Sequence, residues 1–77
     1  MQVTIKLFGL LTDITLASSV SIDNVKDTDE AISKLQQLYP PLKQSQYIIA
    51  VDKEIIHNNT LLTENTTMAL LPPYAGG

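Results

Sequence analysis

The stretch DTDEAISKLQQLYPP, residues 27–41, predicts the long helix on which the fold depends. Asp27 is suited to cap the first turn, and Glu30, three residues on, completes a capping-box pattern. Apolar residues at helical spacing form one stripe: Ala31, Ile32, Leu35, Leu38 and Tyr39. Pro40 and Pro41 end the helix, because proline has no amide hydrogen and restricts the residue before it. A helix with one apolar stripe is expected to pack that stripe against a sheet.

The segments around this helix predict the sheet. Alternating apolar and polar residues, or runs of β-branched residues, predict five strands: residues 3–7, 20–22, 47–51, 54–56 and 67–71. The first two strands are predicted to form a hairpin through residues 9–19, an irregular connection longer than a tight turn, whereas Asp52-Lys53 predicts a two-residue turn. The order ββαβββ predicts an α+β fold in a single domain, residues 1–77, with a mixed sheet and the main helix packed on one face.

The composition excludes several classes of function. The chain has 77 residues, no cysteine and one histidine, His57, so thiol catalysis, disulfides and thiolate metal sites are excluded and no metal site is expected. The net charge is −3 and the five lysines are scattered, which disfavours nucleic acid. No apolar run approaches the ~20 residues of a membrane helix, and the first residues lack a signal-peptide pattern. We therefore expect a cytoplasmic protein that binds neither nucleic acid nor membrane.

The apolar residues of the predicted strands indicate a second apolar surface. Because side chains alternate along a strand, Phe8 points away from Val3, Ile5 and Leu7. One member of each consecutive apolar pair should also face away from the helix: Ile48-Ile49, Ile55-Ile56 and Leu70-Leu71. Exposed apolar patches often mark interaction sites. The pattern leaves two interpretations open, a partner-binding surface or an ordinary core completed by bulges and loops.

The end of the chain, LLPPYAGG, carries a different signal. Pro72 and Pro73 stop the last strand and stiffen the exit from it. Gly76 and Gly77 have no side chain, so this end could enter a narrow channel. No other set of residues suggests catalysis. We interpret residues 72–77 as a flexible tail that presents the carboxylate of Gly77 inside another protein.

These features resemble a known family. The ββαβββ order with a terminal Gly76-Gly77 is similar to that of the β-grasp, ubiquitin-like sulfur carriers of the MoaD/ThiS family. The ending LLPPYAGG resembles that of molybdopterin synthase small subunits (MoaD type). Residues 50–52 (AVD) and 62–67 (LTENTT) also resemble their Ala-Val-Asn and Leu-Thr-Asp-Gly-Asp-Glu turns. The match covers essentially the whole chain, with departures at Asp52, Asn65 and the pair Leu70-Leu71.

The resemblance implies a sulfur carrier that is not an enzyme by itself. A ubiquitin-activating-like adenylating enzyme would use ATP to activate the carboxylate of Gly77, and a sulfur donor protein would convert it to a thiocarboxylate. The carrier would dock on the molybdopterin synthase large subunit, in a heterotetramer, through Phe8, Ile55 and Leu71. It would donate sulfur to a pterin precursor, forming the dithiolene of molybdopterin. The inserted tail would comprise Pro72, Pro73, Tyr74, Ala75, Gly76 and Gly77. No cofactor would be bound permanently.

Three alternatives remain open at this point. The same chemistry would serve a sulfur carrier for thiamin or tRNA thiolation, although the proline pair before the tail favours the molybdopterin class. A ubiquitin-like protein modifier would form isopeptide bonds through the same carboxylate. A binding module with an inert tail is the third alternative, and removal of Gly76-Gly77 would leave its activity unchanged.

Overall fold

The pairing of the first and last strands organises the molecule. The computed structural model describes residues 2–73 of the protein. Its elements follow the chain in this order: β1 Gln2–Leu7, α1 Leu11–Thr15, β2 Ser19–Asp23, α2 Thr28–Leu38, a 3-10 helix Pro40–Gln44, β3 Ile48–Val51, β4 Glu54–Ile56 and β5 Thr67–Leu71. The strands lie in the order β2-β1-β5-β3-β4. The strands β1 and β5 are parallel, and the other neighbouring pairs are antiparallel.

This topology confirms the predicted α+β class and the β-grasp arrangement. Ile5 in the centre of β1 lies opposite Val20 on β2 and Met68 on β5. Parallel neighbours need a crossover connection rather than a tight turn. The chain between β1 and β5 provides it, and α2 covers one face of the resulting mixed sheet. The predicted order of main elements is therefore correct, with α1 and the 3-10 helix as additions.

The core lies between α2 and the sheet. The alternation in β1 is confirmed, since its odd-numbered apolar residues are buried and its polar residues are exposed. Side chains from the strands and from α2 meet in this layer: Val3, Ile5, Leu7, Met68, Leu70, Ala31 and Leu35. Full burial of one such large aliphatic side chain contributes about 1.5–3 kcal/mol. This face of the sheet is therefore the one that holds the fold together.

The N-terminus of α2 is fixed by three side chains. Asp27 caps the helix as predicted, because its Oδ1 accepts a hydrogen bond from the Glu30 amide at 2.9 Å. The Glu30 carboxylate accepts from the amide of Lys26 at 2.9 Å, one residue before the position of the usual capping box. Asn59 adds a third bond, since its Oδ1 accepts from the Asp29 amide at 2.9 Å. The backbone bond from Glu30, followed by the Asn59 amide, lowers the pKa of Asp27.

Two segments differ from the sequence-based expectation. Residues 9–19 contain the short helix α1, where an irregular connection was expected. After α2, Pro40 and Pro41 begin a 3-10 helix, because proline is well tolerated in the first turn of a helix.

Leu38 does not complete the buried stripe, since it is 60% exposed and lies beside the edge strand β2. The stripe is therefore shorter than the sequence pattern predicts.

Candidate functional site

The sheet face opposite α2 forms a shallow groove. The register places Lys6 beside Ala69, Ala69 beside Ala50, and Ala50 beside Ile55. Two alanines therefore lie between larger side chains in a row that crosses four strands, which lowers the floor of the groove. The groove has a volume of about 570 Å³. Its lining residues are Lys6, Phe8, Ala50, Asp52, Lys53, Ile55, Thr67, Ala69 and Leu71.

The structure brings together the three residues that the sequence singled out for partner binding. Phe8 is 45% exposed and Ile55 is 58% exposed, whereas Leu71 is half-buried. The Phe8 amide donates to the Leu70 carbonyl oxygen at 3.2 Å, which extends the β1–β5 pairing and places Phe8 next to Leu71. All three side chains line the groove. An open apolar surface of this kind is a candidate for contact with another protein.

The last apolar pair divides between the two faces of the sheet, as predicted. Leu70 is fully buried in the core, whereas Leu71 lines the groove. In β4, Ile55 lines the groove opposite Ala50, and Ile56 lies opposite Ile49. Because consecutive side chains in a strand point to opposite faces, each pair supplies one residue to each side. The groove is therefore a regular product of the strand pattern.

Sequence reasoning missed the polar rim and the floor of the groove. Asp52 joins the β3–β4 turn to β5, since its Oδ1 accepts from the Thr67 amide at 3.0 Å and its own amide donates to the Thr67 carbonyl at 2.8 Å. Lys6 and Lys53 add positive charge at the rim. A signal for the floor was present in the sequence, because Ala69 lies two residues before Leu71 and so shares its face.

The predicted tail begins against the body of the protein. Pro72 is buried, and Pro73 is exposed. Both line a second groove of about 260 Å³ together with Leu10, Leu11 and Ile14. The remaining tail positions lie outside the described residues: Tyr74, Ala75, Gly76 and Gly77. The flexibility of residues 72–77 stays a prediction, with its first residue packed on the body.

Other chemistry is sparse in the part of the chain that the structure describes. His57 is exposed after β4. Between residues 2 and 73, no group of three or more His, Cys, Asp or Glu side chains could hold a metal ion. Over the same residues, no helix has the length and apolarity needed to cross a membrane. The groove and the adjacent root of the tail therefore form the candidate functional site.

The profile of the ThiS family matches residues 5–77, almost the whole chain. The chain belongs to the ThiS family. It is thus a small ubiquitin-like sulfur carrier of a family whose members are not catalytic by themselves. The predicted membership of the MoaD/ThiS carriers is confirmed.

Solved structures share the fold of this ThiS-family chain. A chain from the complex of subunits 1 and 2 of molybdopterin-converting factor from Helicobacter pylori 26695 is 29% identical, with a TM-score of 0.74 and full coverage of both chains. Small archaeal modifier protein 1 from Haloferax volcanii is 20% identical, with a TM-score of 0.81 and full coverage of both chains. The Methanosarcina acetivorans protein of that name is 22% identical, with a TM-score of 0.83 and coverage of 99% and 96%.

Proposed function

We propose that this ThiS-family chain is the sulfur carrier subunit of a molybdopterin synthase. The observation that carries the proposal is the open apolar groove at the root of a tail that ends in Gly76-Gly77. Phe8 and Leu71 line the groove, and each is followed directly in the chain by a residue at the tail root, Gly9 and Pro72. A partner that covers the groove would therefore also receive the tail.

The groove supplies the docking surface in this proposal. Phe8, Ile55 and Leu71 form its apolar part, while Lys6, Lys53 and Asp52 form a charged rim with two positive groups and one negative group. Aromatic and large aliphatic side chains in pockets that lose water on binding provide most of the affinity of protein interfaces. The rim charges favour the correct approach and orientation of the partner. The partner surface opposite the two lysines should carry carboxylates.

The tail supplies the chemistry. An adenylating enzyme attaches AMP from ATP to the carboxylate of Gly77 and releases pyrophosphate, and a sulfur donor then displaces AMP to give the thiocarboxylate. With no cysteine in the chain, the thiocarboxylate is the form in which the protein can hold reactive sulfur covalently. Ala75 has only a methyl group and Gly76 has no side chain, so this end could enter a narrow active site. The sulfur is passed there to a pterin precursor.

The large subunit is the partner that we propose for the groove. The Helicobacter pylori structure is a protein–protein complex of subunits 1 and 2 of molybdopterin-converting factor, and this chain matches one of its chains over its full length. That similarity supports a complex of the same kind here. A heterotetramer in the cytoplasm, with two carriers and two large subunits, is the assembly that we expect.

The experiment removes Gly77 and measures sulfur transfer. The wild-type chain, a variant lacking Gly77 and a variant with one alanine added after Gly77 are each incubated with the adenylating enzyme, ATP, a sulfur donor, the large subunit and the pterin precursor. Only the wild type should form the dithiolene product. Both variants should unfold at the wild-type urea concentration, because chain ends contribute little to a core. Product formation by either variant would contradict the proposal.

A second function is favoured by the similarity to the two archaeal modifier proteins. A protein modifier would use the same activated carboxylate to form isopeptide bonds with lysine side chains. Tagged protein expressed in cells should then yield larger conjugates that disappear when Gly77 is deleted. A carrier for thiamin or tRNA thiolation would instead give thiocarboxylate that the molybdopterin synthase large subunit does not consume.

A further inference from the structure

Gly9 and Pro72 pack closely against each other at the root of the tail. Gly9 has a φ of +59°, in the left-handed region that favours glycine. A Cβ atom at Gly9 would lie 2.6 Å from Pro72 Cγ and 3.4 Å from Pro72 Cδ, whereas ordinary van der Waals contacts begin at 3.4 Å. The ring of Pro72 therefore fills the space that a side chain at Gly9 would need.

Gly9 is held in place by bonds on both sides. Before it, the Phe8 amide is bonded to the Leu70 carbonyl at 3.2 Å. The carbonyl oxygen of Gly9 itself accepts from the Thr12 amide at 3.1 Å and from the Thr12 hydroxyl at 2.8 Å. Pro72 has little freedom to avoid a collision, because its ring is closed onto the backbone and only the ring pucker can change. A side chain at Gly9 would therefore displace the chain at Pro72.

We propose that Gly9 is a positioning residue. Because it has no side chain, the ring of Pro72 packs against it, and this contact, which we call the seat of Pro72, sets the direction in which the tail leaves the body. Its value for the reaction rests on the function proposed above. A displaced Pro72 changes the point and the direction from which the rest of the tail must reach the active site of a docked partner. A misplacement of about 1 Å at a reacting group can cost about 100-fold in rate. The seat thus delivers the Gly77 carboxylate to the correct place in a docked partner.

A double-mutant cycle tests the seat, with the wild type, Gly9→Ala, Pro72→Ala and the double variant. Pro72→Ala removes Cγ and Cδ and keeps Cβ, which lies 3.8 Å from the position of the added methyl group. The strain of alanine at a positive φ is present in both backgrounds and cancels in the cycle. The remaining difference between the backgrounds reports the contact between positions 9 and 72.

Each variant is charged as its thiocarboxylate, and single-turnover sulfur transfer is measured over a range of large-subunit concentrations. Gly9→Ala should slow transfer at saturation about tenfold in the wild-type background and less than about twofold in the Pro72→Ala background. The half-saturating concentration should stay within about twofold, because Gly9 does not line the docking groove. If Gly9→Ala only destabilised the protein, it would slow transfer in both backgrounds, and Pro72→Ala would not reduce its effect.

Two outcomes would overturn the seat. If Gly9→Ala slows transfer equally in both backgrounds, the glycine acts through its backbone conformation alone. If Gly9→Ala transfers sulfur at the wild-type rate, the position of Pro72 does not matter for delivery.

An NMR measurement on the uncharged chain separates this inference from the proposed function. The wild type should show a strong nuclear Overhauser effect between the Gly9 α protons and the Pro72 ring protons, and Gly9→Ala should weaken the contacts of that ring with the body. Absence of the wild-type effect would overturn the seat even if sulfur transfer is found. A wild-type chain that shows the effect but accepts no sulfur would refute the carrier function and leave the seat intact.

Discussion

Both faces of the sheet carry large apolar side chains, but only one face is covered by α2. On the helix side, Ile5, Met68 and Leu70 have no exposed surface. On the groove side, Phe8 and Ile55 keep about half of their surface exposed. Stability needs only the first face, so the second indicates a partner.

Leu70 and Leu71 give the most direct contrast, because they are neighbours of identical chemistry on opposite faces. Leu70→Ala should lower the free energy of unfolding by about 2–5 kcal/mol, since it leaves a cavity in the core. Leu71→Ala should lower it by less than about 1 kcal/mol, because the side chain is only half-buried. Urea denaturation monitored by circular dichroism measures both. Equal losses of unfolding free energy would show that the two faces contribute equally to stability.

Ile55→Asp should have the opposite effect to Leu70→Ala, with a large loss of partner affinity and little loss of stability. Placing a carboxylate in the groove should weaken binding to the large subunit about 100-fold, equivalent to about 2.7 kcal/mol, while stability changes little because Ile55 is 58% exposed. Isothermal titration calorimetry measures the affinity. Leu61→Asp is the matched control, because Leu61 is 75% exposed and lies beside Asp27 at the start of α2, away from the groove. A similar loss of affinity in both variants would argue against the groove as the docking surface.

The turn at the rim of the groove should tolerate, and even prefer, glycine. Asp52 and Lys53 have φ values of 50° and 72°, the pattern of a type I′ turn, which favours Asn-Gly. Lys53→Gly should raise the free energy of unfolding by roughly 0.5 kcal/mol, because relief of left-handed strain exceeds the added entropy of glycine. The measurement is the urea midpoint at constant m-value. A lower midpoint would show that the Lys53 side chain stabilises the turn by packing.

The smallest expected effect is a loss of stability at acidic pH, which arises at Asp27 at the start of α2, the helix on the covered face. The pKa of Asp27 is lowered in the folded protein, mainly by the hydrogen bond from the Glu30 amide and then by Asn59, so protonation favours the unfolded chain. The stabilisation by this carboxylate is complete above its ordinary value of 3.8 and is lost as pH falls through the lower folded-state pKa. Asp27→Asn keeps a capping oxygen without this titration. The two proteins should match at pH 7, and the wild type should lose more stability at acidic pH.

Much of the fold could be predicted because apolar residues recur at a regular spacing in the strands and in α2. Residues 67–71 were predicted with the bounds that β5 has in the structure. The helix α1 was missed because five residues rarely form a helix alone and depend on tertiary packing. Leu38 was misassigned because a helical period gives the direction of a side chain but not the extent of the sheet beneath it.

The candidate site was predicted in part for the same reason. Alternation placed Phe8 and one member of each apolar pair on the exposed face without knowledge of strand order. The choice of Ile55 and Leu71 within their pairs followed from the family resemblance. The face on which Ala69 lies follows from the same alternation, but its pairing with Ala50 and the seat of Pro72 depend on which strands are adjacent. Gly9 and Pro72 are 63 residues apart in the sequence, and only the parallel pairing of β1 with β5 brings them together.

The measurement that most directly tests the central claim is the intact mass of the chain after incubation with its adenylating enzyme, ATP and a sulfur donor. A sulfur carrier should gain roughly 16 Da, the difference between sulfur and oxygen at the terminal carboxylate. The variant with one alanine added after Gly77 is the control and should keep its mass. A wild-type mass that does not change in the presence of active enzyme and donor would contradict the account.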